Sequence, residues 1–137
     1  MAMATDLKLA SVRLDAWAPH LRSVLRIMTA LLFVEWGTRK LFGFPAPFPV
    51  QTFSLLWFAG IIETFGGTLV ALGLFTRPVA FLLSGEMACA YFLEHIKKSF
   101  FPALNGGDGA VLFCFVFLYL VFAGPGPWSV DAARGRA

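Results

Sequence analysis

The sequence predicts an all-α fold, a transmembrane antiparallel four-helix bundle. Hydrophobic residues make up 58% of the 137 positions and charged residues 14%, whereas a soluble domain carries about 25% charged residues. Mean hydropathy is +0.75, and long apolar segments alternate with connections rich in proline, glycine and asparagine. Because one helical crossing takes about 20 apolar residues, the chain has room for four or five crossings and for no separate soluble domain.

Residues 1–20 precede the first apolar segment and are predicted to lie at the membrane surface. Charged residues and a proline interrupt this stretch, so it lacks the apolar core of a secretory signal peptide; they are Asp6, Lys8, Arg13, Asp15 and Pro19. A short amphipathic helix is predicted over residues 6–18, capped by Asp6 and ended by Pro19. Its apolar side would carry Leu9, Val12 and Trp17.

The predicted spans cover residues 21–42, 53–75, 79–96 and 108–123. Between the first two, Pro45, Pro47 and Pro49 cannot continue a helix, so an ordered turn or re-entrant loop is expected there. Pro78 suits the first turn of the third span, where a missing N–H is tolerated. The spans make up a transmembrane domain of residues 21–131, followed by a tail of residues 132–137.

Basic residues near the span ends favour cytoplasmic termini. In an up-and-down arrangement, the side of the termini would hold Lys8, Arg13, Arg22, Arg77, Arg134 and Arg136. The opposite side would hold Arg39, Lys40, Lys97 and Lys98. The larger group is expected on the cytoplasmic side, because cytoplasmic loops are enriched in Lys and Arg.

The second span has two faces at the helical spacing of 100° per residue. The predicted lipid face carries Phe58, Ile62, Phe65 and Leu69. The opposite face carries Gly60, Glu63, Gly67 and Ala71, and such small residues let membrane helices approach closely. Its predicted partner is the face of the first span that carries Arg22, Arg26, Ala30, Phe33, Gly37 and Lys40.

Ionisable side chains within spans are costly and usually mark function. Arg26 and Glu63 are directed inward, with Glu63 about 10 Å further along the axis at 1.5 Å per residue. Two interpretations stay open: a structural ion pair between two helices, or a polar pocket or proton path. The predicted polar interior, a candidate quinone or proton site, consists of Arg26, Lys40, Glu63, His95 and Asp108.

Glu35 and Glu86 are predicted to point away from this polar interior. Lipid is a poor environment for a carboxylate, so a partner subunit that supplies cations is one explanation, and protonation is another. Both residues are therefore partner-facing candidates, in a protein complex or a homo-oligomer.

Motifs for other chemistry are absent. No HExxH, CxxC or His/Cys cluster at metal-ligand spacing occurs, and no GxSxG or Gly-rich phosphate loop. No metal site or catalytic residue is predicted, and no cofactor is expected from a motif, although quinone stays a candidate. Cys89 and Cys114 lie in apolar runs and are expected to pack between helices. The net charge of +3 arises at span ends and does not indicate nucleic acid.

An ordered set of motifs over residues 22–131 resembles the DoxX family of small four-span membrane proteins. The set comprises Arg26, Phe33, Gly37 and Lys40-Leu41, then Gly60, Glu63 and Gly66-Gly67, then LGLFTR at residues 72–77, then Met87 and His95, then NGGD at residues 105–108, and finally GPGPWSVD at residues 124–131. The resemblance implies a multi-pass bundle in the inner (cytoplasmic) membrane. The family's name derives from a subunit of a membrane oxidoreductase that delivers electrons from thiosulfate to quinone, and other members look like accessory proteins of membrane redox systems.

Three functions are compatible with these features. The first is a small subunit or accessory protein of a membrane-bound, quinone-linked oxidoreductase complex, which anchors a catalytic partner and is not catalytic alone. The abundant Phe side chains beside Arg26, Glu63, Lys40 and His95 would suit a quinone, which needs an apolar slot and a few polar groups. The alternatives are an oligomeric transporter or channel for a small solute or protons, and a purely structural assembly factor.

Overall fold

Helices account for most of the described chain, and within residues 2–136 no strand occurs. The computed structural model describes residues 2–136, with the side chains of residue 3 and residues 12–136. The helices are α1 (Ala2–Phe42), α2 (Leu55–Leu72), α3 (Thr76–Ala90), α4 (Pro102–Asn105), α5 (Asp108–Ala123) and α6 (Val130–Ala133), and a π-helical turn, Tyr91–His95, continues α3. The predicted all-α class is confirmed.

Helix α1 is much longer than the predicted first span, because it continues through Pro19. The prediction that Pro19 ends a separate helix is wrong. Residues 12–18 are exposed, so water can hydrate the carbonyl group that the proline leaves without a donor. His20, which directly follows Pro19, packs edge-on against Trp128, with ring centroids 5.5 Å apart. This contact attaches α1, just after the proline, to the segment that follows α5. The side chains of Asp6 and Leu9 lie outside the described residues.

Helix α2 has defined caps at both ends. The Ser54 hydroxyl accepts a hydrogen bond from the backbone N–H of Trp57, and Gly73 takes a left-handed conformation (φ 69°) that ends the helix. Among the described residues, α2 is the one helix long and apolar enough to cross a membrane by length and composition, and α5 is a shorter apolar helix.

The close packing of α1 on α2 depends on glycines, as predicted. A Cβ atom added to Gly60 would lie 2.9 Å from the Lys40 Cβ, and one added to Gly67 would lie 2.8 Å from a Val34 methyl. Gly67, later in α2, packs against Val34, earlier in α1 than the Lys40 that contacts Gly60. The two helices are therefore antiparallel. The predicted outward face is also confirmed, because Phe58, Ile62 and Phe65 are exposed.

Helices α3 and α5 pack against each other in the same antiparallel manner. The Ser84 hydroxyl donates to the carbonyl of Cys114 at 2.9 Å. The core between these helices and α1 contains Phe33 and Phe117, whose rings lie edge to face with centroids 4.8 Å apart. The outward stripe of α5 is formed by exposed Leu112, Phe115, Tyr119 and Phe122.

Residues 124–131, here called the closing segment, join the ends of several helices. The Asp131 carboxylate accepts hydrogen bonds from the backbone N–H groups of Phe75 (3.0 Å) and Thr76 (2.8 Å) at the start of α3. Arg77 donates to the carbonyls of Val121 (2.8 Å) and Phe122 (2.9 Å) at the end of α5. Burial acts to raise the pKa of Asp131, but these backbone hydrogen bonds outweigh it and hold the pKa below its ordinary value.

At the other end of the molecule, the proline-rich segment after α1 folds back on that helix. Thr38 donates to the carbonyl of Phe44 at 3.0 Å. The Arg39 guanidinium lies 4.6 Å from the ring centre of Trp36 and 5.7 Å from that of Phe48, distances typical of cation–π contacts. The predicted ordered loop is confirmed.

Candidate functional site

A cavity of about 350 Å³ lies at the end of the molecule opposite the closing segment. Its walls come from α1, α2, α3 and α5 and are mainly apolar, with aromatic rings contributed by Phe33, Trp36, Phe48 and Phe113. Its polar groups are Lys40, Glu63, Glu94, His95 and Lys98. We call it the aromatic cavity. It brings together three of the five residues that the sequence assigned to a polar interior: Lys40, Glu63 and His95.

Lys40 and Glu63 form a buried ion pair in the wall of this cavity. The Lys40 ammonium lies 2.5 Å from Oε1 of Glu63, and the two side chains are 11% and 3% exposed. The pair can form because Gly60, one turn before Glu63, lets the Lys40 stem lie directly against α2. Oε2 of Glu63 is buried and has no hydrogen-bond partner among the described residues, so the pair keeps one free acceptor.

Arg26 is not part of this site, and of the two interpretations left open by the sequence, a direct ion pair between Arg26 and Glu63 does not form: Glu63 pairs with Lys40. Its fully buried guanidinium donates to the carbonyls of Pro125, Trp128 (2.6 Å) and Ala71 (3.4 Å). Arg26 therefore ties α1 to the end of α2 and to the closing segment. Fourteen residues of helix separate it from Lys40, which corresponds to about 21 Å.

His95 enters the cavity wall from the π-helical turn that continues α3. Its Nδ1 lies 3.1 Å from the backbone carbonyl of Asn105. A carbonyl only accepts, so Nδ1 carries the proton and Nε2 of the neutral ring is an acceptor. The Asn105 amide is held in turn by the carbonyl of Ser99 (2.8 Å) and the Tyr91 hydroxyl (3.3 Å). Single π-helical turns inside α-helices are frequent at functional sites.

Glu86 lies beside the ion pair, contrary to the sequence prediction that it points away from the polar residues. It lines a second cavity of about 150 Å³ between α2 and α3, which also contacts Lys40 and Glu63. We call this the α2/α3 cavity. Both carboxylate oxygens of Glu86 are buried, and neither has a hydrogen-bond partner anywhere in the described chain. Whether Glu86 faces a partner subunit stays a prediction.

Asp108 and Glu35 lie outside both cavities. The predicted inward position of Asp108 is wrong: the residue is exposed in the first turn of α5, on the same outward stripe as Leu112, where a carboxylate suits the positive end of the helix dipole. Glu35 is exposed on α1, as expected for a group that faces away from the interior, and its role toward a partner stays a prediction.

Sequence reasoning missed Trp36 and Glu94. Trp36 precedes Lys40 by one helical turn, and that i, i+4 spacing places both on one face, so this signal was available. Glu94 lies within the π-helical turn, where side-chain directions differ from those of an ideal α-helix, and it lines both cavities. No pattern in the sequence indicates this turn.

The aromatic cavity combines flat apolar walls with few polar groups. Lys40 has three N–H donors, of which one is used by Glu63, and Oε2 of Glu63 and Nε2 of His95 are acceptors. Such a site can hold a largely apolar molecule with polar groups at its ends. It can also hold or move a proton at Glu63 Oε2 or His95 Nε2.

The comparisons with known proteins agree with the motifs. A family model, DoxX, matches residues 21–96. An uncharacterized protein of Haemophilus influenzae is 42% identical over 125 residues, which is 86% of this chain and 93% of that protein. An uncharacterized membrane protein of Mycobacterium tuberculosis is 27% identical over 137 residues, covering 86% of this chain and 83% of that protein. No solved structure matches the chain. The chain belongs to the DoxX family and is a membrane protein.

Proposed function

We propose that this protein is a small multi-pass subunit of a quinone-linked oxidoreductase complex in the inner (cytoplasmic) membrane, and that the aromatic cavity binds the quinone headgroup. The observation that carries the proposal is the buried Lys40–Glu63 pair in the wall of an otherwise apolar, aromatic cavity. Electrons would come from a catalytic partner that the protein anchors.

The membrane arrangement is part of this proposal. Four helical segments, α1, α2, α3 with its π-helical turn, and α5, would cross as an antiparallel bundle with both termini in the cytoplasm. Their antiparallel packing and exposed apolar stripes support it. At 1.5 Å per residue, α1 is about 60 Å long, twice the roughly 30 Å of a bilayer core. Its first half would therefore project from the membrane.

The residues of the aromatic cavity fit a quinone in size and in chemistry. About 350 Å³ lies within the range of roughly 300–1,000 Å³ for small-molecule sites. Trp36, Phe48 and Phe113 offer flat surfaces for a ring, and Lys40 offers N–H donors for a carbonyl oxygen. Oε2 of Glu63, which is buried without a partner among the described residues, offers an acceptor for the hydroxyl of the reduced form.

A bound quinone would supply two-electron, two-proton chemistry, and the chain's own residues would bind it and handle protons. Lys40 would orient the headgroup, and its pairing with Glu63 keeps the ammonium in the cavity. His95 would hold or release a proton at Nε2, because the Asn105 carbonyl occupies Nδ1. Glu94 and Lys98, which are exposed, would lie at the mouth of the cavity.

Quenching of Trp36 fluorescence tests quinone binding. The protein in lipid nanodiscs is titrated with a short-chain ubiquinone, and Trp36→Phe identifies the signal that arises in the cavity. We expect saturable quenching in the wild type and at least tenfold weaker binding in Lys40→Met, because a hydrogen bond to a charged group is worth about 1.5–3 kcal/mol.

The matched control for the acidic residues is Glu35→Gln, which removes an exposed carboxylate on α1 and should leave binding unchanged, whereas Glu63→Gln should weaken it. Quenching that does not saturate, or that is equal in Lys40→Met and wild type, contradicts the quinone site.

Purification in a mild detergent tests the role as a subunit. A co-purifying flavin, haem or metal enzyme, whose recovery falls in Glu35→Gln, is the expected result. A homo-oligomer that moves a solute or protons across liposomes would instead favour the transporter alternative. Normal complex assembly by Lys40→Met with no bound quinone would separate anchoring from quinone binding.

A further inference from the structure

We propose that the α2/α3 cavity is a second binding site, one that takes a protonated primary amine with an apolar substituent. The site adjoins the proposed quinone site and shares Lys40 and Glu63 with it, whereas Glu86 lines the α2/α3 cavity alone. The observation behind it is a set of three carboxylate oxygens that share one small, otherwise apolar space: Oε2 of Glu63 and both oxygens of Glu86.

The charges beside the α2/α3 cavity are unbalanced. Glu63 is 2% exposed, and among the described residues its one ion-pair partner is Lys40. Glu86 lies beside this pair with no hydrogen-bond donor in residues 2–136 as described. Two ionised carboxylates beside one ammonium lack one positive charge, which either a proton or a cationic ligand can supply, and buried polar groups without partners are unstable in an apolar environment. Glu94 also lines the cavity, but it is exposed to solvent. The space therefore favours a ligand that carries a positive charge.

The unpartnered oxygens of Glu63 and Glu86 need hydrogen-bond donors. All three are acceptors, so a quinone, which also presents acceptors, does not satisfy them. A primary ammonium has three N–H donors, one for each oxygen. A metal ion is a poorer match, because within the described part of the chain no group of three His, Cys, Asp or Glu side chains is placed to hold one.

The walls and entrance of the α2/α3 cavity suit an apolar substituent. Apart from the charged residues, the lining is apolar and includes Leu56, Ile62, Met87 and Leu93. Ile62 and Leu93 are also about half exposed on the outer surface, so the cavity opens between α2 and α3 onto the side that would face lipid. An amine could enter from the bilayer with its alkyl chain trailing outward. A volume of about 150 Å³ suits a small headgroup and the first carbons of a chain.

Binding of hexylamine to the protein in nanodiscs tests this site. Hexanol, which has the same chain and no charge, is the ligand control, and empty nanodiscs give the partition into lipid. We expect saturable binding of hexylamine at neutral pH, at least tenfold weaker in Glu86→Gln and unchanged in Asp108→Asn, which removes an exposed carboxylate outside both cavities. Hexanol should show only the partition seen with empty nanodiscs.

A second variant keeps the proposal testable if Glu86→Gln does not fold. Ile62→Trp leaves every charge in place and fills the entrance, and it should also weaken hexylamine binding at least tenfold. Equal binding of hexylamine and hexanol, or unchanged hexylamine affinity in a folded Glu86→Gln or Ile62→Trp, overturns the proposal. So does the absence of saturable binding to folded wild type, which would mean that Glu86 holds only a proton.

The outcome is separable from that of the quinone site. Glu86 lines the α2/α3 cavity and is not among the residues that line the aromatic cavity. Glu86→Gln should therefore leave the quenching of Trp36 by quinone unchanged while it weakens amine binding at least tenfold.

Discussion

Removing Lys40 alone should cost more stability than removing both Lys40 and Glu63. In Lys40→Met, a carboxylate that is 3% exposed loses the one cation that pairs with it among the described residues, and breaking a buried ion pair from one side typically costs about 3–5 kcal/mol. In Glu63→Gln, the remaining ammonium is 11% exposed and borders a cavity that water can enter, so we expect about 1–2 kcal/mol. The double variant removes both charges and should lose less than Lys40→Met alone.

The free energy of unfolding of all four proteins, measured by denaturant titration in mixed micelles, gives the coupling between the two residues as a double-mutant cycle. We expect a coupling of about 2 kcal/mol or more, toward the upper end of the range for residues in contact. Lys98→Met, which removes an exposed lysine at the mouth of the same cavity, should change stability by no more than about 0.5 kcal/mol. Additive losses, or a Lys40→Met variant as stable as the control, would refute the assignment of a buried pair.

Three other variants test the rest of the structure. Arg26→Lys replaces two nitrogens that bind different carbonyls, Nη1 on Pro125 and Nη2 on Trp128 and Ala71, with a single ammonium on a shorter side chain. It should lose about 2–3 kcal/mol of stability, while the folded variant retains wild-type quinone binding in the Trp36 assay. Asp131→Asn should be destabilised at neutral pH. The pKa of Asp131 is lower in the folded protein than in the unfolded chain. The greater stability of the wild type should therefore be complete above the unfolded-state pKa near 4 and disappear as pH falls through the folded-state pKa. A stability difference that grows on acidification refutes this. Gly67→Ala should lose about 1–3 kcal/mol through overpacking, whereas Gly85→Ala, whose added methyl group would meet no described atom within 4 Å, should be neutral or stabilising in thermal unfolding.

Helical periodicity predicted which faces meet, because that depends only on residues close in sequence. The glycines of α2 were assigned to the face that packs on α1, and Gly60 and Gly67 do contact Lys40 and Val34. The outward stripe that contains Phe65 was assigned equally well. Both assignments follow from side-chain size and polarity at 100° per residue.

Periodicity did not predict which cation lies beside Glu63. Arg26 and Lys40 share one face of α1, so a helical wheel cannot distinguish them; only the axial register of α1 against α2 does. That register is set by distant contacts, since Arg26 bonds to the carbonyls of Pro125 and Trp128, about a hundred residues away in sequence. The predicted offset of about 10 Å between Arg26 and Glu63 along the helix axis already argued against a direct contact. In the structure, Lys40 is the cation that pairs with Glu63.

Local backbone geometry explains the other differences. The π-helical turn at Tyr91–His95 changes the side-chain spacing from that of an ideal α-helix, and Glu94 within this turn lines both cavities. His95, in the same turn, was already among the predicted polar residues. Glu86 was expected to point away from the polar interior. Instead, α3 meets α2 on one side and α5 on another, and Glu86 faces the α2 side.

The two ends of the molecule differ in how their charged side chains are used. One end carries charged groups that bind backbone groups, and the other carries buried carboxylates beside cavities. At one end, Arg26 and Asp131 hold the closing segment against α1 and α3, and Arg77 ties α3 to the end of α5, all through hydrogen bonds to backbone groups. These contacts fix the helix register without requiring any side chain at the other end to do so. Glu63 and Glu86 retain three unsatisfied carboxylate oxygens beside the two cavities, and burying such oxygens without donors is costly. If that cost supports ligand binding, Glu86→Gln should raise the unfolding midpoint while it abolishes amine binding; a Glu86→Gln variant that is less stable than wild type would show that the carboxylate serves the fold instead.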